Sequence, residues 1–399
     1  MNRPKFSPIL LIYAMTFMAG VSGNMLGSVI SIYARDYVSA TIEEVGLIIS
    51  VFSMTSIPSK VLAGFLGSGK RILYISVVGM LISTFCPLGM ALLQTPLMLI
   101  TFRAIQGFGS AMVWPSMLTL VGLLAKGSRR NQQISNYSFV VSVGMFAAPS
   151  IGSVGIALIG MRNTFFLSAI VSVVSVFAGM GLIYLRKSLF EDVEDEKGDK
   201  VQGAVSSILR NRAFLNALMV LVSQSFAYGT ILAYGTLYVK DAYQVSDSEV
   251  ALIFLGYNGV LMLSRLALGK ILKLVSKEKC MLLCLVSLTL ILPLLTLSSS
   301  YVMFVLIFSL LGISHGILFP VGAMILIENV PRNILPVANA LFTTGFDIGA
   351  TIGPVAAAPV VARYTNRESI LVAAIVPAIV LGIEAVTGKR SRKETVTSS

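Results

Sequence analysis

The sequence predicts an all-α membrane protein of twelve transmembrane helices arranged as two parallel six-helix repeats, and three observations carry that expectation. Of the 399 residues, 56% are hydrophobic and only 12% charged, and the mean hydropathy of +0.87 lies far above that of a soluble chain. Long apolar runs recur along the chain, each close to or beyond the ~20 residues that cross a ~30 Å hydrocarbon core as a helix; barrel strands would alternate instead. The third observation is that the chain matches itself at a constant offset.

The first run, residues 8–33, follows Arg3 and Lys5 and passes small residues at MAGVSG, in the manner of a signal peptide. It stays apolar to Ile32, too long for the apolar region of such a peptide, and is therefore assigned as the first helix. The others are expected at 42–67, 72–94, 97–124, 132–159, 163–185, 213–239, 248–272, 279–298, 301–327, 333–360 and 368–387. Between the sixth and seventh lies one long polar stretch, RKSLFEDVEDEKGDKVQGAVSSILRNR, acidic first and then a short amphipathic helix. It divides the chain into an N-terminal bundle, 1–187, a cytoplasmic linker, 188–212, and a C-terminal bundle, 213–399.

Shifting the chain by 205 residues superposes the halves without a gap. YARD falls on YVKD, matching Tyr33 to Tyr238 and Asp36 to Asp241; Glu44 falls on Glu249; Ser59, Lys60 and Gly64 fall on Ser264, Arg265 and Gly269. Gly107 and Pro115 meet Gly312 and Pro320, and Gly144 and Pro149 meet Gly349 and Pro354. Six helices per half preserve orientation, so the repeats are parallel, the arrangement in which a substrate site lies near the midplane between rocking halves.

The formal charge of +12 suggests nucleic acid only until the charges are placed. With the N-terminus cytoplasmic, 22 of the 30 basic residues fall in cytoplasmic segments, five outside (Arg35, Arg162, Lys240, Arg363, Arg367) and three within helices (Lys60, Arg103, Arg265). The positive-inside rule thus puts both termini inside a plasma membrane. Cys86, Cys280 and Cys284 show no paired ligand spacing, and with a single histidine no metal site is expected. No cofactor and no enzymatic activity are expected either, since no nucleophile stands with a base.

Several stretches resemble the major facilitator superfamily over essentially the whole chain. YARDYVSATIEEVGLIISVFSMTSIPSKVLAGFL resembles the end of helix 1 and helix 2 there, RAIQGFGSAMVWPS the helix 4 motif of the drug:proton antiporter branch, and GMFAAPSIG its helix 5 motif with Ala148 where glycine is usual. FDIGATIGP resembles helix 11 of efflux permeases in that branch. Two departures stand out: the loop GFLGSGKR lacks the family's acid, and the first helix offers Asn24 where some proton-coupled antiporters carry a carboxylate.

Ionisable side chains at membrane depth cost at least ~2.5–3.5 kcal/mol, so each requires a reason. At about 1.5 Å per residue, Asp347 and His315 lie near the centres of the eleventh and tenth runs, and they are taken as a proton-handling pair; structural hydrogen bonds are the alternative. Arg103, with Gln106 three residues on, is read as a fixed positive charge facing the cavity, which attracts an anionic group or tunes a proton carrier; snorkelling is its alternative. Asn24, Gln106, Trp114, Gln224, Tyr228, Tyr257 and Asn258, together with Arg103, are the candidate substrate contacts, each with interhelical packing as its alternative. Gly144, Gly349 and Gly353 permit close helix approach, Pro149 and Pro354 bend their helices, and Lys60 and Arg265 snorkel or join the halves. The expected activity is secondary active export of a small amphipathic organic molecule in exchange for protons, by a monomer in the lipid bilayer. Uptake or facilitated passage of a small organic solute is the alternative.

Overall fold

The computed structural model describes residues 8–66, 71–124, 130–189, 204–330 and 335–397. Twelve helices among them are long and apolar enough to cross a membrane: α1 (Pro8–Gly27), α2 (Ile42–Leu66), α3 (Arg71–Leu92), α4 (Pro96–Leu124), α5 (Arg130–Ile159), α6 (Met161–Leu189), α7 (Arg212–Thr230), α8 (Asp247–Leu274), α9 (Lys277–Leu295), α10 (Tyr301–Asn329), α11 (Leu335–Arg363) and α12 (Glu368–Thr397). No strand occurs among the described residues. Helices are the form in which each segment satisfies its own backbone hydrogen bonds where lipid offers none. Of the linker, the described part contains a short helix, Ala204–Leu209; its acidic portion and the loop residues 67–70 lie outside the described residues.

Two helices differ from the expected continuous runs. The first breaks after Gly27, where the Val29 N–H bonds back to Leu26, and resumes as Ile30–Ile32 followed by a π-helical turn, Tyr33–Tyr37. The seventh continues through a π-helical turn, Ile231–Gly235, into Thr236–Tyr243. Glycine at the break, with its large conformational freedom, weakens the helical ladder there.

The chain forms two compact units, Met1–Lys200 with Gln244–Asn258, and Val201–Tyr243 with Gly259–Ser399. The first half of α8 therefore packs with the first unit. Two hydrogen bonds explain its position: Tyr37 donates to Asp247 at 2.8 Å, and the Asn258 amide donates to the Met145 carbonyl at 2.9 Å.

Within the units the same helix pairs pack: α1 on α5 and α6, and α3 on α4 and α6, in one; α7 on α11 and α12, and α9 on α10 and α12, in the other. The 205-residue offset extends to individual bonds. Thr41 and Glu44 form a capping box at the start of α2, with N–H···O distances of 2.8 and 3.3 Å; Ser246 and Glu249 repeat it on α8 at the same two distances. Ser39 and Gln244, the two non-glycine residues with positive φ among the described residues (57° and 51°), occupy equivalent turns ahead of those caps. Arg162 Nε donates to the Ala91 carbonyl at 2.9 Å and its equivalent Arg367 Nη2 to the Thr296 carbonyl at 3.0 Å, so each closes the C-terminal end of one helix.

Close approach depends on glycine. Gly144 faces Gly20 and the Phe17 carbonyl of α1, and Gly345, Gly349 and Gly353, spaced by four, set α11 against Leu218, Val222 and Phe226 of α7. These glycine faces are thus buried inside their own units. Pro149 and Pro354 are buried on the same two helices, and the Pro354 carbonyl accepts the Tyr234 hydroxyl at 3.1 Å.

Candidate functional site

In the first unit, α4 presents Arg103, Gln106 and Trp114 at spacings that share one helical face. Arg103 is only 6% exposed. Its Nη1 donates to Gln106 Oε1 at 2.7 Å, its guanidinium carbon lies 4.4 Å from the centre of the Phe52 ring on α2, and its buried Nε has no hydrogen-bond partner among the described residues. The arginine meets Phe52 because α2 and α4 are tied together. Thr55 Oγ1 donates to the Ala104 carbonyl at 2.7 Å and Ser59 Oγ to that of Phe108 at 2.6 Å. Between those bonds, a Cβ at Gly107 would lie 2.6 Å from Thr55 Oγ1.

The other candidates of this unit have more structural duties. The Asn24 amide donates to the Gly20 carbonyl of its own helix at 2.8 Å. The ring of Trp114 lies against Gly20, and its carbonyl accepts the Tyr137 hydroxyl at 3.2 Å. Asn258 is engaged with Met145 as described, and buried Tyr257 packs edge-on to Phe254, with ring centres 6.3 Å apart. Lys60 is half-buried on α2.

The second unit holds the acidic counterpart. Gln224 and Tyr228 lie one turn apart on α7; Gln224 is 2% exposed and its Oε1 has no hydrogen-bond partner among the described residues. His315 is 8% exposed at the midpoint of α10, and Asp347 is 7% exposed on α11. The His315 ring meets Tyr228 edge-on at 5.5 Å and stacks with Phe346, the neighbour of Asp347, at 5.9 Å; Tyr228 and Phe346 are 6.1 Å apart. Three helices thus converge on one aromatic cluster. The backbone carbonyl of Asp347 accepts the Thr351 hydroxyl at 2.7 Å.

Tyr228, His315 and Phe346 are brought together, with Gln224 one turn from Tyr228 on α7, and Arg103 is brought onto Gln106. Two aromatic walls, Phe52 and Phe346, were not anticipated. A signal existed for each: Phe52 is the 205-residue counterpart of Tyr257, and Phe346 adjoins the one carboxylate expected at mid-membrane.

The model of the Major Facilitator Superfamily matches residues 12–291 and 236–398. An uncharacterized transporter of that type, MJ1560 of Methanocaldococcus jannaschii, is 22% identical over 87% of this chain and 89% of its own. The multidrug resistance protein MdtG of Citrobacter koseri is 26% identical over 87% and 86%. Among solved structures, the nucleoside transporter NupG (D323A mutant) superposes with a TM-score of 0.79 at 13% identity, covering 95% of this chain and 99% of that one. A POT family transporter in complex with 5-aminolevulinic acid gives 0.79 at 12% identity, covering 96% of each.

Proposed function

The chain belongs to the Major Facilitator Superfamily, a multi-pass membrane transporter, and on that premise we propose that it exports a small amphipathic organic compound in exchange for protons by alternating access. The observation that carries the proposal is the burial of two ionisable residues in the second unit, His315 within the Tyr228–Phe346 aromatic cluster and Asp347 on α11. A carboxylate and an imidazole at this depth cost several kcal/mol unless their charge states have work to do, and a proton relay is such work. The export direction draws on the multidrug resistance relative. Gln224, with its unpartnered acceptor, and Tyr228 serve as substrate contacts in the second unit, and Gln106, Trp114 and Arg103 do so in the first. The glycine faces around Gly144, Gly349 and Gly353 keep each bundle rigid, while Pro149 and Pro354 bend their helices. The protein works as a monomer in the plasma membrane with both termini cytoplasmic, as its basic residues favour.

The test is transport in inside-out vesicles with an imposed gradient, acid inside, scored against a panel of toxic amphiphiles. Export predicts gradient-driven accumulation that Asp347→Asn abolishes while its melting temperature stays within about 2 °C. Unchanged pH dependence in Asp347→Asn would remove that residue from coupling. The absence of a carboxylate on α1 favours the second reading, uptake or facilitated passage, and gradient-independent equilibration of substrate would select it.

A further inference from the structure

We infer that the first unit carries an anion-recognition site centred on Arg103, fitted to the carboxylate head of an amphipathic substrate. The inference rests on the transporter reading and narrows its substrate class.

A buried guanidinium requires a counter-charge or a full set of acceptors, and Arg103 has neither: one neutral amide oxygen at Nη1, one ring face, and a buried Nε without a partner. Nor do the described residues of this unit hold an acid to supply. Between Glu44 and Glu191 the sequence has no Asp or Glu. The described acids of this unit stand at helix ends with other attachments: Asp36 binds Arg35 at 2.6 Å, Asp247 accepts from Tyr37, Glu44 and Glu249 close capping boxes, and Glu43 is exposed. The missing negative charge therefore comes with a ligand.

Geometry narrows its chemistry. The bond to Gln106 holds Nη1 and leaves the Nε edge, whose two parallel N–H donors match the two oxygens of a carboxylate. A single cation suits a monoanion better than a phosphate dianion. Phe52 covers the guanidinium face and α4 runs on through apolar residues, so the rest of the ligand meets hydrocarbon and aromatic surface. Trp114, eleven residues along the same face, is the single tryptophan of the chain and reports on this helix.

The experiment uses the purified full chain in lipid nanodiscs and three probes with one body and three heads: 4-phenylbutyrate, its neutral amide and 4-phenylbutylamine. Trp114 emission and melting temperature are followed at fixed pH and ionic strength. We expect saturable binding of the carboxylate at least tenfold tighter than of the amide or the amine. In Arg103→Gln the carboxylate should fall to the affinity of the amide, and in Arg103→Lys it should be intermediate. Equal binding of the three heads, preference for the amine, no saturable response to any of them, or full carboxylate affinity in Arg103→Gln would each overturn the inference. So would chloride or inorganic phosphate reproducing the response with the same dependence on Arg103, since the site would then hold a small ion. The probe comparison in the unaltered protein stands even if the Arg103 variants fold poorly. No gradient is used, so binding without proton-driven transport would leave the site intact and remove the coupling. Transport of neutral or cationic compounds unaffected by Arg103→Gln would do the reverse.

Discussion

Replacing Gly229 by alanine tests whether the second unit is held by direct backbone contact between α7 and α11. A Cβ at Gly229 would lie 2.8 Å from the Ala350 carbonyl oxygen and 3.0 Å from its Cα, where ordinary contact begins at 3.4 Å. The two helices must therefore separate by about half an ångström, and neither obstacle is a side chain that can rotate away. Overpacking of this kind costs about 1–3 kcal/mol. Gly382→Ala on α12 is the matched control, because nothing lies within 4 Å of its new Cβ. Both variants share the roughly 1 kcal/mol helix-propensity gain of alanine over glycine, so the difference between them isolates the strain. For a unit of about 200 residues, 1 kcal/mol corresponds to about 2–4 °C, which puts Gly229→Ala about 2–12 °C below Gly382→Ala in a thermal melt of purified protein. Transport should fall as well, since the displaced helix α7 carries Gln224 and Tyr228. Melting of the two variants within about 1 °C of each other would refute the backbone-contact account.

The remaining predictions concern the repeated frame. Glu44→Ala and Glu249→Ala remove equivalent capping boxes, so each should destabilise by about 0.5–2 kcal/mol and by similar amounts; a melt in which only one is affected would contradict their equivalence. Ser39 and Gln244 sit in the left-handed region, which costs a non-glycine residue about 1–2 kcal/mol. Ser39→Gly and Gln244→Gly should therefore each raise the melting temperature by a degree or more, and a fall in both would show that their side chains matter more than their φ angles.

Much of the architecture was legible because lipid imposes a simple rule: a segment that crosses it must be apolar and must close its own hydrogen bonds. Hence the twelve spans, and hence the repeat, whose Glu44/Glu249 and Arg162/Arg367 pairs reappear as matching bonds. The break after Gly27 was not legible, since glycine and serine also stand within helices of this chain that run unbroken, as Ser142 and Gly144 do on α5. For the site, counting residues from a helix centre gives height but not direction around the axis. Asp347 and His315 could therefore be singled out from their depth, while nothing in the sequence said that the amides of Asn24 and Asn258 would be engaged by the carbonyls of Gly20 and Met145. The grouping of Gln244–Asn258 with the first unit depends on contacts 113 and 210 residues away in the chain, made by Met145 and Tyr37, and no local pattern announces them.

The matched capping boxes, turns and arginines have an evolutionary consequence. They read as an inheritance from one duplicated ancestor, retained because both copies must still fold. Arg103, His315 and Asp347 follow the opposite pattern, being matched by Phe308, Ser110 and Ser142, whereas Lys60 and Arg265 are matched to each other. These three therefore set the copies apart. A tandem fusion of two first halves would on this view keep the scaffold and lack any mid-membrane acid, and two second halves would lack the buried arginine. Divergence between the copies turned a structural repeat into a pair of unlike partners.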